Sequence, residues 1–286
     1  METEVVSEAT RGAILLTGAS SGIGHALALR LAAEGYLVFA GVRKESDRER
    51  LVDEHPNLRP ISLDVTIAAD RIRAAQSVAQ CGLPLRAVVN NAGIAVGGPL
   101  EYLPIDRLVE QFEINTFAPI ALTQVLLPHL RASHGRAFFI GSIAGRMGVP
   151  LVGPYGASKA ALAVLVDALR QELRPHGVAV SLFEFAAVKT PIWAKGRAGA
   201  EHAIEQLPAE ALAQYGKEIQ AMLAQTKAEE RHGLHPTVIA DAVLAALHAP
   251  HPRERYVIGR QARIQSIIAL LPMRLRDRVI AAALKH

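Results

Sequence analysis

Cysteine is nearly absent from this 286-residue chain: Cys81 is the single one, so no intrachain disulfide can form. Long apolar runs are absent too, since none approaches the roughly 20 residues that a membrane-spanning helix needs. The first segment, METEVVSEATRG, is too polar and acidic for a signal peptide. These absences argue against a disulfide-stabilised or membrane-spanning protein and favour the cytoplasm. We expect residues 1–11 to form a flexible tail.

Charged residues make up only 20% of the chain against 50% hydrophobic residues, which is typical of a compact globular domain. The net charge of +4 is unevenly distributed, because residues 252–286 carry eight Lys or Arg against two acidic residues. The remainder is slightly acidic, which does not favour nucleic acid as a partner. We predict a single domain over residues 12–260 and a basic amphipathic extension over residues 261–286.

Short apolar segments alternate with longer amphipathic ones along the chain. The candidate strands are 13–17, 36–40, 59–63, 85–90, 137–142, 178–184 and 256–258. The candidate helices include 23–33, 71–80, 105–130, 155–173 and 237–248. Because buried parallel strands are short apolar runs separated by helices, this order predicts an α/β fold. The expected architecture is a doubly wound, Rossmann-type parallel sheet of about seven strands with helices on both faces.

Residues 194–232 interrupt this alternation with a segment rich in Ala, Glu, Gln and Lys, a composition that favours helix. The segment follows the sixth candidate strand. In an open α/β sheet, an excursion beyond the carboxyl end of a strand lies over the ligand crevice. We therefore interpret residues 194–232 as a substrate lid, with a surface insertion of no specific role as the alternative.

A glycine-rich turn, TGASSGIG, lies between the first candidate strand and the first candidate helix. Glycine permits a tight turn and a close approach of the backbone to a ligand, and a helix N-terminus offers free amide donors to a pyrophosphate. A strand before the turn and a helix after it predict a dinucleotide site, with a turn that serves helix packing alone as the alternative. The candidate cofactor contacts here are Gly18, Ser20, Ser21, Gly22, Ile23 and Gly24.

The end of the second candidate strand distinguishes the two nicotinamide dinucleotides. An acidic side chain there would hydrogen-bond the adenosine ribose and repel a 2′-phosphate, whereas an arginine would pair with that phosphate. The sequence at this point is AGVRK, with Arg43 and no acidic residue. This pattern favours NADP over NAD, and a solvated loop cation is the alternative interpretation of Arg43.

Tyr155 and Lys159 are four residues apart in YGASK, which places them side by side on one face of a helix. A phenol has an ordinary pKa of about 10, and a neighbouring positive charge favours its ionised form. A hydroxyl such as that of Ser142, thirteen residues upstream, could hold a carbonyl or hydroxyl oxygen beside the phenol. The three residues predict a proton-transfer device, with a solvated surface pair as the alternative.

Together, TGASSGIG, the segment NNAG at 90–93, Asn115, Ser142 and YGASK resemble the short-chain dehydrogenase/reductase family in its single-domain form. The overall sequence is similar to the branches that act on lipophilic ketones and alcohols such as steroids and retinoids. The resemblance implies an enzyme that transfers hydride between a nicotinamide and a ketone or secondary alcohol. Tyr155 would be the general acid or base, Lys159 would lower its pKa and hold the nicotinamide ribose, and Ser142 would orient the substrate oxygen.

The resemblance, which is close over residues 12–192, also implies roles for other polar residues. Asn115 would keep a proton-relay water near Lys159, and Asp64 would contact the adenine ring. Asn90 would tie the central strands together. The other implied cofactor contacts are Val65, Asn91, Ala92, Gly93, Val188 and Thr190, besides Tyr155 and Lys159. No metal site is implied.

The segment EFAAVKTPIW departs from the family, which usually has Pro-Gly where this chain has Phe185 and Ala186. Because glycine permits backbone conformations that other residues avoid, we expect either a displaced nicotinamide-facing loop or a pocket narrowed by Phe185. The departure leaves open an alternative function, a catalytically impaired dinucleotide-binding sensor or scaffold. All four catalytic candidates named above are present, which favours the enzyme.

The loops that follow the strands are mostly apolar, which favours a hydrophobic ketone or secondary alcohol as the substrate. The candidate substrate contacts are Ser142, Ile143, Val149, Tyr155, Phe185, Ile192 and Trp193. The cofactor expected with this substrate is NADP, and NAD is the second choice.

The C-terminal extension has apolar residues at helical spacing on both sides of a break at Pro272, interspersed with arginines. A basic amphipathic helix of this kind packs on its own domain, contacts a sister subunit, acts as a lid, or lies on an anionic membrane surface. Peripheral membrane association is therefore one expectation for this cytoplasmic protein. The family resemblance implies a homodimer or homotetramer formed through the helices at 105–130 and 155–173.

Overall fold

Seven of the short apolar segments form the strands of one parallel sheet. The computed structural model describes residues 11–190, 204 and 207–283. Its strands are β1 Ala13–Thr17, β2 Leu37–Val42, β3 Leu58–Ser62, β4 Leu85–Asn90, β5 Arg136–Ile140, β6 Ala179–Phe185 and β7 Arg255–Ile258. Their order is β3-β2-β1-β4-β5-β6-β7, and every neighbouring pair is parallel. The direction of winding reverses between β1 and β4, where a sheet of this kind opens its ligand crevice.

The helices connect these strands and cover both faces of the sheet. They are α1 Gly22–Ala33, α2 Glu45–Val52, α3 Ala68–Gln80, α4 Ile105–Phe112, α5 Ala118–Ser133, α6 Gly153–Leu173, α7 Ala209–His232, α8 Pro236–His248, α9 Arg260–Ile268 and α10 Met273–Ala283. Side chains of α1, α2 and α8 pack on one face, and those of α3, α5 and α6 pack on the other. This arrangement confirms the predicted doubly wound parallel sheet.

The sheet divides the hydrophobic core into two layers, because successive strand residues point to opposite faces. Ile14 and Leu16 of β1 pack in the layer of α1 and α8, whereas Ala13 and Leu15 pack in the layer of α5 and α6. Every residue of β1 is buried, as expected for a central parallel strand that is covered on both sides. The carboxyl end of β1, from which the site is built, is therefore held rigidly.

The helix predicted over 105–130 is interrupted in the structure. A π-helical turn, Glu113–Phe117, separates α4 from α5. Pro119 has no N–H to donate to the carbonyl of Asn115, four residues earlier, so the regular helical hydrogen bonds cannot continue through this point. The interruption places Asn115 in a widened turn rather than in a straight helix.

Helix α2 is absent from the sequence prediction, because its residues ESDRERLV are mostly charged and give little apolar periodicity. Glu45 and Asp47 lie in its first turn, where they complement the helix dipole, and Glu45 pairs with Arg48. Leu51 is the buried residue that attaches the helix to the core. The other predicted strands and helices agree with the structure to within three residues at their ends.

Several predictions fall on residues at the limits of the described chain. Apart from Arg11, the predicted tail lies outside the described residues, as do the substrate candidates Ile192 and Trp193. The predicted lid is described at residue 204 and from residue 207 onwards, where α7 forms the helix that its composition favours. In the described ranges, no helix combines the length and the apolar character that crossing a bilayer requires.

Candidate active site

The glycine-rich turn lies at the carboxyl end of β1 and runs into α1, as the sequence predicts. Gly18 has a φ of +68°, in the left-handed region that favours glycine. A Cβ added at Gly24 would lie 2.1 Å from the carbonyl oxygen of Gly18, so only glycine lets α1 approach the turn this closely. Residues 18–24 thus form a cradle at a helix N-terminus, and the cradle fits the pyrophosphate of a dinucleotide.

The segment after β4 is tied to this cradle by side-chain hydrogen bonds. Asn91 donates from Nδ2 to the carbonyls of Thr17, at 2.9 Å, and Gly18, at 3.1 Å. The Thr17 hydroxyl accepts from the backbone N–H groups of Asn91 and Ala92, both at 2.9 Å. These residues therefore shape the cradle, and direct contact of Asn91, Ala92 and Gly93 with a cofactor stays a prediction.

Asn90, the last residue of β4, joins the central strands. It donates to the hydroxyl of Thr123 on α5 at 3.0 Å and to the carbonyl of Phe138 in β5 at 3.4 Å. Asn90 is buried, and these bonds connect β4 with β5 and with α5. The contacts agree with the strand-tying role that the family resemblance implies.

The adenosine end of the predicted cofactor site lies beyond β2 and β3. Arg43 follows β2 and is exposed. Asp64 accepts hydrogen bonds from the backbone N–H of Thr66, at 3.0 Å, and from its hydroxyl, at 2.6 Å. Burial raises the pKa of Asp64, but the bonds from Thr66 and the charge of Arg43 outweigh it, so the pKa is lowered overall. Arg43 and an ionised Asp64 thus lie near each other, and Val65 beside them is buried.

An arginine that no sequence motif reveals holds the glycine-rich turn. Arg50 of α2 donates to the carbonyl of Ser20 at 2.7 Å and forms an ion pair with Glu54. Glu54 also bonds to His25 of α1, with 2.5 Å between Oε2 and Nε2. These contacts join α1, α2 and the turn. No local pattern could mark them, because Arg50 and Ser20 lie thirty residues apart.

The first turns of α6 place Tyr155 and Lys159 beside the end of β5. Lys159 is 5% exposed and donates from Nζ to the carbonyl of Ile140 at 2.8 Å. Its Nζ lies 6.0 Å from the centre of the Tyr155 ring. The Ser142 hydroxyl lies beside the Tyr155 phenol, whose pKa it lowers, and Ser142 Oγ accepts from the N–H of Ala144 at 3.2 Å. The structure thus brings Ser142, Tyr155 and Lys159 together.

Burial acts in opposite directions on the pKa values of the two titratable side chains. It raises the pKa of the Tyr155 phenol, and the hydrogen bond from Ser142 offsets part of this rise. It lowers the pKa of Lys159 from 10.5 to about 8. Burial thus sets the direction of the shift in Tyr155, while the Lys159 ammonium bonds to Ile140, and the lowering of the Tyr155 pKa by Lys159 stays a prediction. A phenol that is protonated at neutral pH suits a general acid.

Asn115, in the π-helical turn, is fully buried and holds the loop that follows NNAG. Its Oδ1 accepts from the N–H of Ile94, and its Nδ2 donates to the carbonyl of Ile94, both at 2.9 Å. Nδ2 also donates to the Ser158 hydroxyl at 3.0 Å. Gln111, which is buried as well, accepts from the N–H of Val96 at 2.5 Å. Asn115 thus fixes one wall of the site together with Gln111 and Ser158. No sequence motif reveals the roles of Gln111 and Ser158. The relay water that Asn115 would hold stays a prediction.

A mainly apolar cavity of about 280 Å³ lies between α7 and the loops that follow β4 and β5. Its lining residues are Pro99, Leu100, Val149, Pro150, Leu151, Gly153, Gln214, Tyr215 and Glu218. Of the predicted substrate contacts, Val149 lines this cavity, whereas Ile143 is buried. Leu151 has a φ of +64°, and its carbonyl accepts from the N–H of Gly98 at 2.8 Å. A bulky residue in this conformation is strained, and such strain clusters at functional sites.

Phe185 belongs to the core rather than to the substrate cavity. It is 7% exposed and packs in the layer of α1 and α8. Because strand residues alternate, the ring points away from the face of the sheet that α6 covers. The prediction that Phe185 contacts the substrate or narrows its pocket is therefore corrected. The sequence could not show which face of β6 carries α6.

The segment after Phe185 does not need the usual glycine. Ala186 adopts an ordinary backbone, since the described residues that combine a side chain with a positive φ lie elsewhere. Val188 then pairs with Leu234 in a short parallel bridge. The replacement of Pro-Gly thus forces no unusual backbone path here. Val188 is buried, and its contact with a cofactor, like that of Thr190, stays a prediction.

Comparison with known proteins bears on these assignments. The sequence profile of the family described as short chain dehydrogenase matches residues 12–201. The chain is 35% identical over 282 residues to the NADPH-dependent 3-dehydrocapnine reductase of Ornithobacterium rhinotracheale, and the match covers 95% of this chain and 96% of the relative. It is also 35% identical over 289 residues to the 11-beta-hydroxysteroid dehydrogenase type 2 of Homo sapiens, covering 96% of this chain and 70% of the relative.

The fold is similar to that of a solved short chain dehydrogenase from Burkholderia cenocepacia J2315 in complex with NADP. The two structures superpose with a TM-score of 0.72 and 25% sequence identity, covering 93% of this chain and 96% of the other. Since the family profile matches well over half of the chain, and relatives are similar over almost its whole length, the chain belongs to the short-chain dehydrogenase family of NAD(P)-dependent oxidoreductases.

Proposed function

We propose that the protein is an NADPH-dependent reductase of hydrophobic ketones, which also oxidises the corresponding secondary alcohols with NADP. The observation that carries the proposal is the group of Ser142, Tyr155 and Lys159, which lies at the same edge of the sheet as the glycine-rich turn. A bound nicotinamide supplies the hydride for such a reaction. The protein contributes the geometry and the proton.

The three side chains have distinct tasks in moving the proton. Ser142, whose hydroxyl lies beside the Tyr155 phenol, would hold the carbonyl oxygen of the substrate next to that phenol. Burial raises the pKa of Tyr155, so the phenol carries the proton that the developing alkoxide needs. The pKa of Lys159 is lowered to about 8, which leaves the amine mostly protonated at neutral pH. Its charge would then stabilise the phenolate that remains.

The residues around the cradle favour NADP, with NAD as the alternative. The backbone of residues 18–24 would hold the pyrophosphate, and the exposed Arg43 would pair with the 2′-phosphate of the ribose. An acidic residue in place of Arg43 would instead repel that phosphate. The NADPH-dependent relative and the family structure with bound NADP support this preference.

The cavity between α7 and the loops that follow β4 and β5 favours a lipophilic substrate because its lining is mainly apolar. Helix α7 closes one side of the cavity. Its Tyr215 ring lies edge-on against Tyr102, with 6.1 Å between ring centres, and the Tyr215 hydroxyl donates to Glu101 at 2.7 Å. These contacts support the lid role of α7. The relative named as a hydroxysteroid dehydrogenase supports the same class of substrate.

Substitution of Tyr155 by Phe tests the proposal. NADPH absorbance would be followed with a panel of steroid, long-chain and aromatic ketones, with a short hydroxylated ketone for comparison and NADH in parallel. We expect turnover of the hydrophobic ketones with NADPH, and a loss of about 100-fold or more in kcat for Tyr155→Phe, since general acid catalysis contributes about 10²–10⁴-fold. The Kd for NADPH, measured by fluorescence, should change less than about twofold.

The same experiment decides between the enzyme and a sensor or scaffold. A wild-type protein that binds NADPH tightly but turns over no ketone or alcohol would favour the sensor. Substantial activity in Tyr155→Phe would contradict the assigned role of the phenol.

Exposed apolar side chains on α4 and α6, which lie side by side, favour assembly with a second copy of the chain. Ile105 and Val109 on α4 are exposed, as are Val164 and Leu165 on α6. Leu162, in contrast, is buried against the sheet. A set of exposed apolar residues on adjacent helices is typical of a protein–protein interface. We propose a homodimer or homotetramer formed through this surface.

Helices α9 and α10 favour peripheral contact with an anionic membrane surface. The exposed apolar residues of these helices and of the turn between them are Ile264, Ile267, Leu270, Met273 and Leu275. Exposed arginines, including Arg263, Arg274 and Arg278, accompany them. Apolar side chains beside cations are the combination that binds the boundary of an anionic bilayer. Such contact would bring a lipophilic substrate close to the enzyme.

A further inference from the structure

A short 3₁₀ turn, Ile143–Arg146, carries the substrate-orienting hydroxyl at its start and a cation at its end. Ser142 immediately precedes the turn, and its Oγ accepts from the N–H of Ala144 at 3.2 Å. Arg146 closes the turn. The guanidinium is partly buried, and it donates from Nε to Oε1 of Glu184 at 3.1 Å and from Nη2 to Oε2. The pair is therefore bidentate, which fixes orientation as well as distance.

The carboxylate that receives Arg146 is anchored deep in the sheet. Glu184 lies in β6, and its side chain is 2% exposed. Arg255 of β7 approaches the same carboxylate at 3.6 Å, and it also bonds to Asp167 of α6 at 2.6 Å. The hydrogen bonds that Arg146 donates to Glu184 outweigh the burial of Arg146, so the pKa of Arg146 is raised and the guanidinium stays charged. Glu184 thus gives the turn a fixed point on β6.

On its other side, the turn touches the helix that carries Tyr155 and Lys159. A Cβ added at Gly145 would lie 2.9 Å from the backbone of Lys159 and Ala160, so the turn and α6 are in close contact. Contact of this kind prevents the turn from moving towards α6 but does not prevent it from moving away. The pair between Arg146 and Glu184 supplies that second restraint.

We infer that Arg146 is a positioning residue: its bidentate pair with Glu184 fixes the turn so that the Ser142 hydroxyl stays beside the Tyr155 phenol. This inference rests on the proposed function, because it gives Arg146 its role through the side chains that would move the proton. Neither Arg146 nor Glu184 needs to touch substrate or cofactor. Loss of Arg146 should therefore resemble loss of the Ser142 hydroxyl.

The test compares Arg146→Met, Ser142→Ala and the double variant, with Arg255→Met as the matched control. Arg255→Met removes the other guanidinium from Glu184 but leaves the turn attached. The first measurement is the ionisation of Tyr155, taken from phenolate absorbance as the difference between each protein and the same protein with Tyr155→Phe. The bond from Ser142 favours the phenolate. We expect ionisation to move to higher pH by a similar amount in Arg146→Met, in Ser142→Ala and in the double variant.

The second measurement is turnover. We expect kcat to fall about tenfold or more in Arg146→Met while the Kd for NADPH changes less than twofold, and the double variant to be no slower than Ser142→Ala. Such non-additivity is the mark of two residues that act through one contact. Arg146→Lys, which keeps the charge but loses the bidentate geometry, should recover part of both effects. It also replaces Arg146→Met if that variant fails to fold.

An unchanged Tyr155 ionisation in both Arg146→Met and Arg146→Lys would overturn the inference. So would an equal effect of Arg255→Met, or fully additive losses in the double variant, because either would indicate a general loss of stability. The titration needs no turnover. A wild-type protein that is inactive on every ketone and alcohol, yet shows the expected ionisation shifts, would refute the proposed function and leave the positioning role of Arg146 supported.

Discussion

Burial of the Lys159 ammonium at the end of β5 makes the free energy of unfolding depend on pH. The pKa of Lys159 is lowered from 10.5 to about 8 in the folded protein because the amine is removed from water. Below pH 8 the amine is charged in both states, so the folded state bears the full desolvation penalty. Above pH 8 the folded state loses the proton while the unfolded state keeps it up to about pH 10.5. Stability therefore rises with pH across this window.

Lys159→Met should remove this dependence. We expect the variant to be more stable than the wild type by about 2 kcal/mol at pH 7, since a shift of one pKa unit corresponds to about 1.4 kcal/mol and the lost bond to Ile140 offsets about 1 kcal/mol. The difference should shrink as the pH rises from 8 to 10. Urea unfolding at several pH values measures it, with Lys217→Met on the exposed face of α7 as the control. A wild type that is more stable by a constant amount at every pH would contradict the prediction.

At the scale of secondary-structure elements, the sequence predicts best what is local. The spacing of Tyr155 and Lys159 fixes their common helix face, and the glycine-rich turn has a strand before it and a helix after it. The sequence predicts least where a polar side chain bonds to a backbone group far away in the chain. Gln111 and Arg50 are examples, since each holds a loop from another element. No periodicity marks such residues.

Other misses have equally specific physical reasons. Helix α2 is stabilised by charged residues in its first turn and a single buried leucine, so it lacks the apolar stripe that identifies a helix in sequence. The side-chain direction of Phe185 depends on the register of β6 and on which face α6 covers, and both are settled by tertiary packing. The proline that interrupts the 105–130 helix was visible in the sequence. Its consequence, the π-helical turn at Asn115, does not follow from the sequence pattern.

Helix α7 should act on the substrate rather than on the cofactor, because it lines the cavity and contacts the loop after β4. Tyr215→Ala removes the ring that lies against Tyr102 and the bond to Glu101. We expect KM for a hydrophobic ketone to rise roughly tenfold, a loss of about 1.4 kcal/mol, which is near the lower value for burying an aromatic side chain. The Kd for NADPH should be unchanged.

Two further variants show what the Tyr215 measurement means. Tyr215→Phe keeps the ring and loses only the hydroxyl, so its KM should lie between those of the wild type and Tyr215→Ala. Gln225→Ala changes an exposed residue further along α7 that bonds to Glu229 in the same helix, and it should leave KM as it is. If all three variants bind NADPH more weakly and leave KM unchanged, α7 is not a substrate lid.

At the scale of the whole molecule, the positive charge is concentrated at one end. Residues 252–286 carry the excess of arginine and lysine, and the rest of the chain is slightly acidic. The same end exposes large apolar side chains, of which Leu270 is 85% exposed. Ala262 in α9 is fully buried and attaches the first turn of this helix to the domain, whereas Ile264 and Ile267 in the later turns are exposed. This surface therefore has a fixed orientation relative to the catalytic edge of the sheet.

If this end docks on a membrane, binding requires both kinds of side chain. We expect the wild type to co-sediment with vesicles that contain about 30% phosphatidylserine and to stay in solution with purely zwitterionic vesicles, with binding weakened by salt. The double variant Leu270→Ser with Met273→Ser removes the exposed apolar residues, and Arg274→Glu with Arg278→Glu reverses the charge. Each should reduce the bound fraction several-fold, since each basic residue contributes about 1 kcal/mol near an anionic surface.

The control is Val238→Ser, which changes an exposed apolar position on α8 and should leave the fraction bound to vesicles unchanged. A wild type that stays in the supernatant with anionic vesicles at low salt would contradict membrane binding and favour packing of α9 and α10 against a second copy of the chain. Gel filtration of the same variants would then show a change in oligomeric state.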